Sequence, residues 1–197
     1  MCLYFLLSGF LHTAFAQQDF VRLQDLDSTF FYDMRYASSN NFLKEKVYEC
    51  GDCIIRKEVA DSLIKANYYF KELGYRIMFF DCYRPLDVQK KMWKVLPNPT
   101  YVADPAKGSI HNRGGAVDIT LATTNGQSLD MGTDFDHFGK EAHHSYQELG
   151  ATVLSNRKLL KEGMMKFGFF PIRSEWWHYN FGSASKYAVS NFTVKCN

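Results

Sequence analysis

Two segments of the 197-residue chain carry residue types that could do chemistry together: Ser109-Ile110-His111-Asn112-Arg113-Gly114-Gly115-Ala116-Val117-Asp118 and Glu175-Trp176-Trp177-His178. They offer two imidazoles and two carboxylates, a nitrogen and oxygen donor set that suits Zn²⁺. A catalytic zinc takes three protein ligands and keeps one position open. His111, Asp118 and His178 supply three, which leaves Glu175 as a base for a water molecule. Gly114-Gly115 allows a sharp turn after His111. Ala116 beside Asp118 leaves room for an ion. One spacing is awkward: on a regular strand Glu175 and His178 would face opposite sides, because their separation is odd. Both reach one site only if Glu175 sits in a loop or bulge before the strand. Taken singly, each residue also has an ordinary explanation, a satisfied polar histidine or a surface carboxylate. On residue types and spacing alone both readings stay open.

The elements that must position these residues follow from periodicity. From Arg56 to Leu73, Val59, Leu63, Ala66, Phe70 and Leu73 recur at helical spacing, and Gly74 ends the run. Arg76 to Phe80 reads as a short apolar strand. Pro85 fits the first turn of a helix reaching about Val95, with Val88, Met92 and Val95 inward. In Ala116–Leu121, Val117, Ile119 and Leu121 alternate with Ala116, Asp118 and Thr120, which predicts a half-buried strand. Thr123 to Phe138 reads as loop. Ser155 is placed to cap a helix with Leu160, Met164 and Phe167 inward and Gly168 closing it. Trp176 to Phe181 is rich in strand-favouring aromatics. Helices and strands mix without regular βαβ repetition. The class is therefore α+β: one domain over residues 17–197, with a central antiparallel sheet flanked by helices.

Apolar residues at 46% and charged residues at 22% exclude a chain that is disordered throughout. A net charge of +2 with no long charged run gives nucleic acid no electrostatic footprint. Residues 1–16 contain no Lys, Arg, Asp or Glu and end Ala14-Phe15-Ala16 before Gln17-Gln18. That reads as a secretory signal peptide cleaved after Ala16, which places the mature protein in the periplasm or outside the cell. The run is too short to span a bilayer, and no later segment is apolar enough for stable membrane insertion. Cys50, Cys53, Cys82 and Cys196 remain after cleavage, and export permits disulfides among them. Cys50-Gly51-Asp52-Cys53 lacks a partner pair for zinc and a helix start for redox chemistry, so a structural role is expected. A bond within or from this pair is favoured, and Cys82 is read as a buried thiol.

The two segments resemble the paired signatures S-x-H-x-x-G-x-A-x-D and E-x-W-H of the D-alanyl-D-alanine dipeptidases of the VanX type (peptidase family M15), zinc enzymes of the same superfamily as the D,D-carboxypeptidases. Every fixed position of both is present. Asp81-Cys82-Tyr83-Arg84-Pro85 is similar to the family's arginine-bearing turn. Leu129 to Asp136 resembles its M-G-T-x-F-D loop, followed by His143-His144. Arg35-Tyr36-Ala37 with Asn41-Phe42 looks like its N-terminal element. The resemblance runs from about Asp33 to Phe181. It implies a hedgehog/D,D-peptidase-like fold and one zinc per chain on His111, Asp118 and His178. It further implies Glu175 as catalytic base and Arg84 near the scissile carbonyl. A guanidinium there would meet the negative charge that develops on the carbonyl oxygen. Ser109 is a candidate for the carboxylate of a D,D-dipeptide, against a turn serine. Asp136 and Tyr36 are candidates for its ammonium, against a loop carboxylate and a core tyrosine. His137, His143 and His144 suggest a second metal cluster less well than ordinary polar histidines. Trp176 and Trp177 read as core and pocket wall. Two further readings remain: a D,D-carboxypeptidase or peptidoglycan endopeptidase on the same scaffold, and a zinc-binding module without catalysis.

Overall fold

The computed structural model describes residues 19–196. The expected leader, residues 1–16, lies outside them. The strands are β1 (Phe20–Arg22), β2 (Phe31–Tyr32), β3 (Ile54–Arg56), β4 (Tyr75–Asp81), β5 (Ala116–Thr123), β6 (Phe169–Ile172) and β7 (Glu175–Phe181). The helices are α1 (Lys57–Glu72), α2 (Leu86–Val95) and α3 (Ala151–Lys166). Five strands form one sheet in the order β2-β4-β5-β7-β6, while β1 and β3 pair separately. The α+β class and central sheet agree with expectation, with one change: the edge strand β2 runs parallel to β4, and the other pairs are antiparallel.

Helix α1 packs on β4, α3 packs on β6, and the two helices touch each other, so both cover one sheet face. Val59, Leu63, Ala66 and Phe70 of α1 are fully buried with Ile77, Phe79, Ile119, Leu121, Leu160 and Met164. Apolar burial of this kind contributes roughly 25 cal/mol per Å². Leu73 and Val95, expected inward, are exposed, because each falls where its helix ends and the chain turns away. Helix α3 starts at Ala151 after an extended Gly150, so Ser155 lies within its second turn and caps nothing. Strand β5 is buried on both faces from Ala116 to Ala122, not on one. It is the middle strand of five, with α1 and α3 on one side and the cavity, to which α2 contributes Met92, on the other.

Four cysteines form two disulfides, Cys50–Cys196 and Cys53–Cys82. The C-x-x-C pair is therefore split between two bridges, and Cys82 is not a free thiol. Cys50 ties down the C-terminal segment. That segment also lays Phe192 flat on Tyr83 and sends the Ser190 N–H to the Asn112 carbonyl.

Candidate metal centre and active site

Sheet register sets the geometry of the candidate metal ligands. Asp118 on β5 is the cross-strand partner of Asp81 on β4 and of His178 on β7, so the three lie in one row. Phe79 faces Ile119 in the core, and the pairing then skips Phe80 to put Asp81 opposite Asp118. That bulge changes the strand's phase. A larger irregularity resolves the odd spacing of Glu175 and His178. Pro171 pairs with Tyr179 while its neighbour Ile172 pairs with Glu175, so β7 carries extra residues between them. Both side chains line the same cavity.

His111 arrives from a single 3₁₀ turn, His111–Arg113, that ends on Gly114 at φ +68°. A Cβ at Gly114 would be strained by that φ and would strike the Phe20 ring. The His111 Nδ1–H donates to the Cys82 carbonyl at 2.7 Å, and the Cys53–Cys82 disulfide fixes the residue carrying that carbonyl. The His178 Nε2–H donates to Asn180 Oδ1 at 2.9 Å. With those protons placed, His111 Nε2 and His178 Nδ1 present lone pairs to each other at 3.1 Å. Asp118 Oδ1 stands 2.9 Å from His178 Nδ1 and 3.3 Å from His111 Nε2. Three donor atoms this close, from two imidazoles and a carboxylate, form a group that could hold a metal ion. Zinc bonds of about 2.0–2.1 Å to nitrogen and oxygen give tetrahedral edges of about 3.3 Å, so the triangle fits that ion. Both histidines also have the outer hydrogen bond that orients a metal-binding imidazole. Burial would push the Asp118 carboxyl up, but the two imidazoles outweigh it and hold the group below the usual carboxylate range. Among the described residues this is the one His/Cys/Asp/Glu group placed to hold a metal. His137 instead meets Glu141 at the surface, and His144 is half-buried beside Arg157 and Lys161, which with burial lower it to about 4.

Arg84 is buried beside the triad. Its Nε and Nη2 donate to Asp81 Oδ2 at 3.0 and 2.7 Å, its Nη1 donates to Gln89 Oε1, and Nη2 lies 3.8 Å from Asp118 Oδ2. Tyr48 donates to the other Asp81 oxygen at 2.8 Å. Asp81, Tyr48 and Gln89 were not singled out from sequence; Asp81 stood in the quoted turn without a role. Asn112 is a further omission. Its Nδ2 donates to the Arg84 carbonyl and its Oδ1 accepts from the Ser109 N–H, which joins two walls of the cavity.

Glu175 is buried, and burial pushes its carboxyl up to about 8, with His178 opposing and Asp118 and Asp136 adding to the rise. Asp136 sits at φ +60°, an uncommon backbone for a residue other than glycine. Its carboxylate accepts from the Tyr36 hydroxyl at 3.1 and 3.2 Å and weakly from the Phe42 N–H at 3.4 Å. Burial, then the Asp118 charge, raises it to about 7. Ser109 lines the cavity, and its Oγ also accepts from the Asn112 N–H as a turn serine would. Tyr36, Arg84, Ser109, His111, Asp118, Asp136, Glu175 and His178 all line one cavity of about 350 Å³. Trp177 forms part of its wall, while Trp176 is buried and donates to Thr133.

The sequence matches the family described as Peptidase M15, D-ala-D-ala dipeptidase, over residues 16–196. It is 34% identical to a D-alanyl-D-alanine dipeptidase of Escherichia coli (strain K12), over 83% of this chain and 85% of that one. It is 30% identical to another from Enterococcus faecalis (strain ATCC 700802 / V583), over 75% and 84%. Among solved structures, a vancomycin resistance D,D-pentapeptidase VanY in complex with Zn(II) has 19% identity and a TM-score of 0.44, covering 71% of this chain and 81% of that one. That likeness is too distant to bear on the site. On the family match and the two dipeptidase relatives, the chain belongs to the D-alanyl-D-alanine dipeptidase family of M15 peptidases.

Proposed function

We propose that this protein is an exported zinc D,D-dipeptidase that cleaves D-Ala-D-Ala, with His111, Asp118 and His178 holding one zinc and Glu175 as general base. The observation that carries the reading is the triangle of two imidazole lone pairs and a carboxylate oxygen, each backed by an element of the sheet or its turn. A cavity of about 350 Å³ lies near the small end of ligand pockets, roughly 300–1,000 Å³, and favours a dipeptide over a polymer strand. Zinc, when bound, acts as a Lewis acid on the scissile carbonyl and brings the pKa of water toward about 7.

The chain's own groups do the remainder. Arg84 keeps its charge at every relevant pH, since its burial is outweighed by Asp81, Tyr36, Tyr48 and Asp118 acting together. Held by Asp81 and Gln89, it faces the negative charge that builds on the carbonyl oxygen. The Glu175 carboxylate accepts a proton from the attacking water and passes it to the departing amine nitrogen. That role requires the ionised form, which positive charge at the triad favours. Asp136, with Tyr36 as its hydrogen-bond donor, takes the substrate ammonium. Ser109, which lines the same cavity, takes the terminal carboxylate. The leader places the enzyme where dipeptide recovery or wall turnover would use it, not where a cytoplasmic precursor pool is destroyed.

Purified mature protein loaded with zinc should hydrolyse D-Ala-D-Ala well ahead of L-Ala-L-Ala and of a peptidoglycan stem peptide. Faster cleavage of the stem peptide would replace the dipeptidase reading with a carboxypeptidase one. Intact-mass measurement of natively expressed protein should give a chain beginning at Gln17, and a mass retaining residues 1–16 would overturn export.

A further inference from the structure

Three aromatic rings from three separate connections meet at the rim of the cavity. Phe42 belongs to the connection between β2 and β3, Tyr101 to that between α2 and β5, and Phe138 to that between β5 and α3. Phe138 packs on Phe42 with ring centres 5.2 Å apart and on Tyr101 at 5.0 Å. All three line the cavity and are half-buried, as residues at a mouth should be. The Phe42 backbone N–H points at Asp136 Oδ2, and Phe138 follows Asp136 by two residues. The backbone that carries two of the rings is therefore anchored beside the carboxylate proposed to take the ammonium, and all three rings line the same cavity as it.

We infer that Phe42, Tyr101 and Phe138 form a clasp that restricts the substrate to two residues by closing the space beyond its amino group. This rests on the dipeptidase reading and adds a second filter to it. Asp136 selects by charge: an acylated amine loses the ammonium contact. The clasp selects by volume: a third residue would leave the Asp136 end of the cavity into the Phe42–Phe138 pair. The ring contacts add to the Tyr36–Asp136 and Arg35–Asp134 contacts that already join two of these connections, and they bring in the third through Tyr101.

The test compares kcat/KM for D-Ala-D-Ala and Gly-D-Ala-D-Ala, whose free amine lies one residue further out. Phe138→Ala and, separately, Tyr101→Ala should raise the tripeptide-to-dipeptide ratio at least tenfold over wild type. Asp136→Asn should slow the dipeptide without admitting the tripeptide. Phe138→Leu, which keeps apolar bulk, should fall between wild type and Phe138→Ala, and it stands in if the alanine variant does not fold. An unchanged ratio in folded variants of a wild type that cleaves the dipeptide removes the clasp alone. A wild type inactive on the dipeptide removes the dipeptidase reading and the clasp with it.

Discussion

The two ends of the cavity are built differently. At the metal end, Asp118 and His178 are register partners in the sheet, and His111 is tied to a disulfide-linked cysteine. A slip of one residue would exchange the two buried faces of β5 and carry Asp118 away from His178, so the pairing itself holds the donors in place. At the amine end, Asp136 sits in a long connection with a left-handed backbone and a carboxyl raised to about 7. What fixes that connection is a set of clasps. The Arg157 Nε donates to the Met131 carbonyl and its Nη1 weakly to the His143 carbonyl, Arg35 pairs with Asp134, and Trp176 donates to Thr133. The candidate metal ligands are thus placed by sheet register, and Asp136 by side-chain contacts to a connection.

The sharpest way to separate the two ends is Glu175→Gln. The amide has nearly the same shape but cannot take the proton, so turnover should fall at least about 10²–10⁴-fold with metal retained. Near-normal turnover with full metal would remove Glu175 from the base role. Next in size, Asp81→Asn removes the nearer charge partner of the buried Arg84 guanidinium, leaving Asp118 at 3.8 Å, and should cost about 3–5 kcal/mol of stability in denaturant unfolding. A loss below about 1 kcal/mol, as for a surface pair, would show that Gln89 and solvent suffice.

At the amine end, Asp136→Asn should weaken D-Ala-D-Ala by about 2–5 kcal/mol while barely changing N-propionyl-D-alanine, the same molecule without the ammonium. Equal losses on both would make Asp136 a structural loop residue. The same substitution tests the cost of the site. The Asp136 carboxyl is raised from 3.8 to about 7 in the folded protein, so the folded state holds the proton more tightly than the unfolded state. Its stabilisation is present below about pH 4 and lost as pH rises through 7. Metal-free Asp136→Asn should therefore melt above wild type at pH 8, with the gain vanishing near pH 4. The smallest effect is expected from Arg157→Lys, which loses the fork that ties both ends of the Asp136 connection. About 1.5–3 kcal/mol should go from stability or substrate binding. KM for D-Ala-D-Ala should rise more than kcat falls; the reverse split would move Arg157 to the metal end.

The same contrast decides what could be read from sequence. At the candidate metal end, residue types and spacing singled out His111, Asp118, Glu175 and His178 but left an ordinary reading open, and only the family resemblance gave them roles; the four line one cavity. The bulge that reconciles Glu175 with His178 was required by spacing, though its form was not. Strand β2, two residues long, has no periodicity to detect. The start of α3 was missed because Gly150 supplies no side-chain cap, and Ser155 offered a false one. Arg157, Asn112 and Gln89 act largely on backbone carbonyls or on each other's neighbours, and a hydrogen bond to a carbonyl leaves no mark on the sequence of its acceptor. Disulfide pairing was equally hidden, since four cysteines permit three arrangements and only tertiary packing of the start of β3 against the end of β4 brings Cys82 to Cys53.

The central claim is that the sheet register of Asp118 and His178, completed by His111, makes one zinc site. Elemental analysis of purified wild type and His178→Ala, after equilibration with limiting free zinc, tests it most directly. The account predicts one zinc per chain in the wild type and little in the variant, because two protein ligands hold the ion poorly. Full zinc in folded His178→Ala would contradict it.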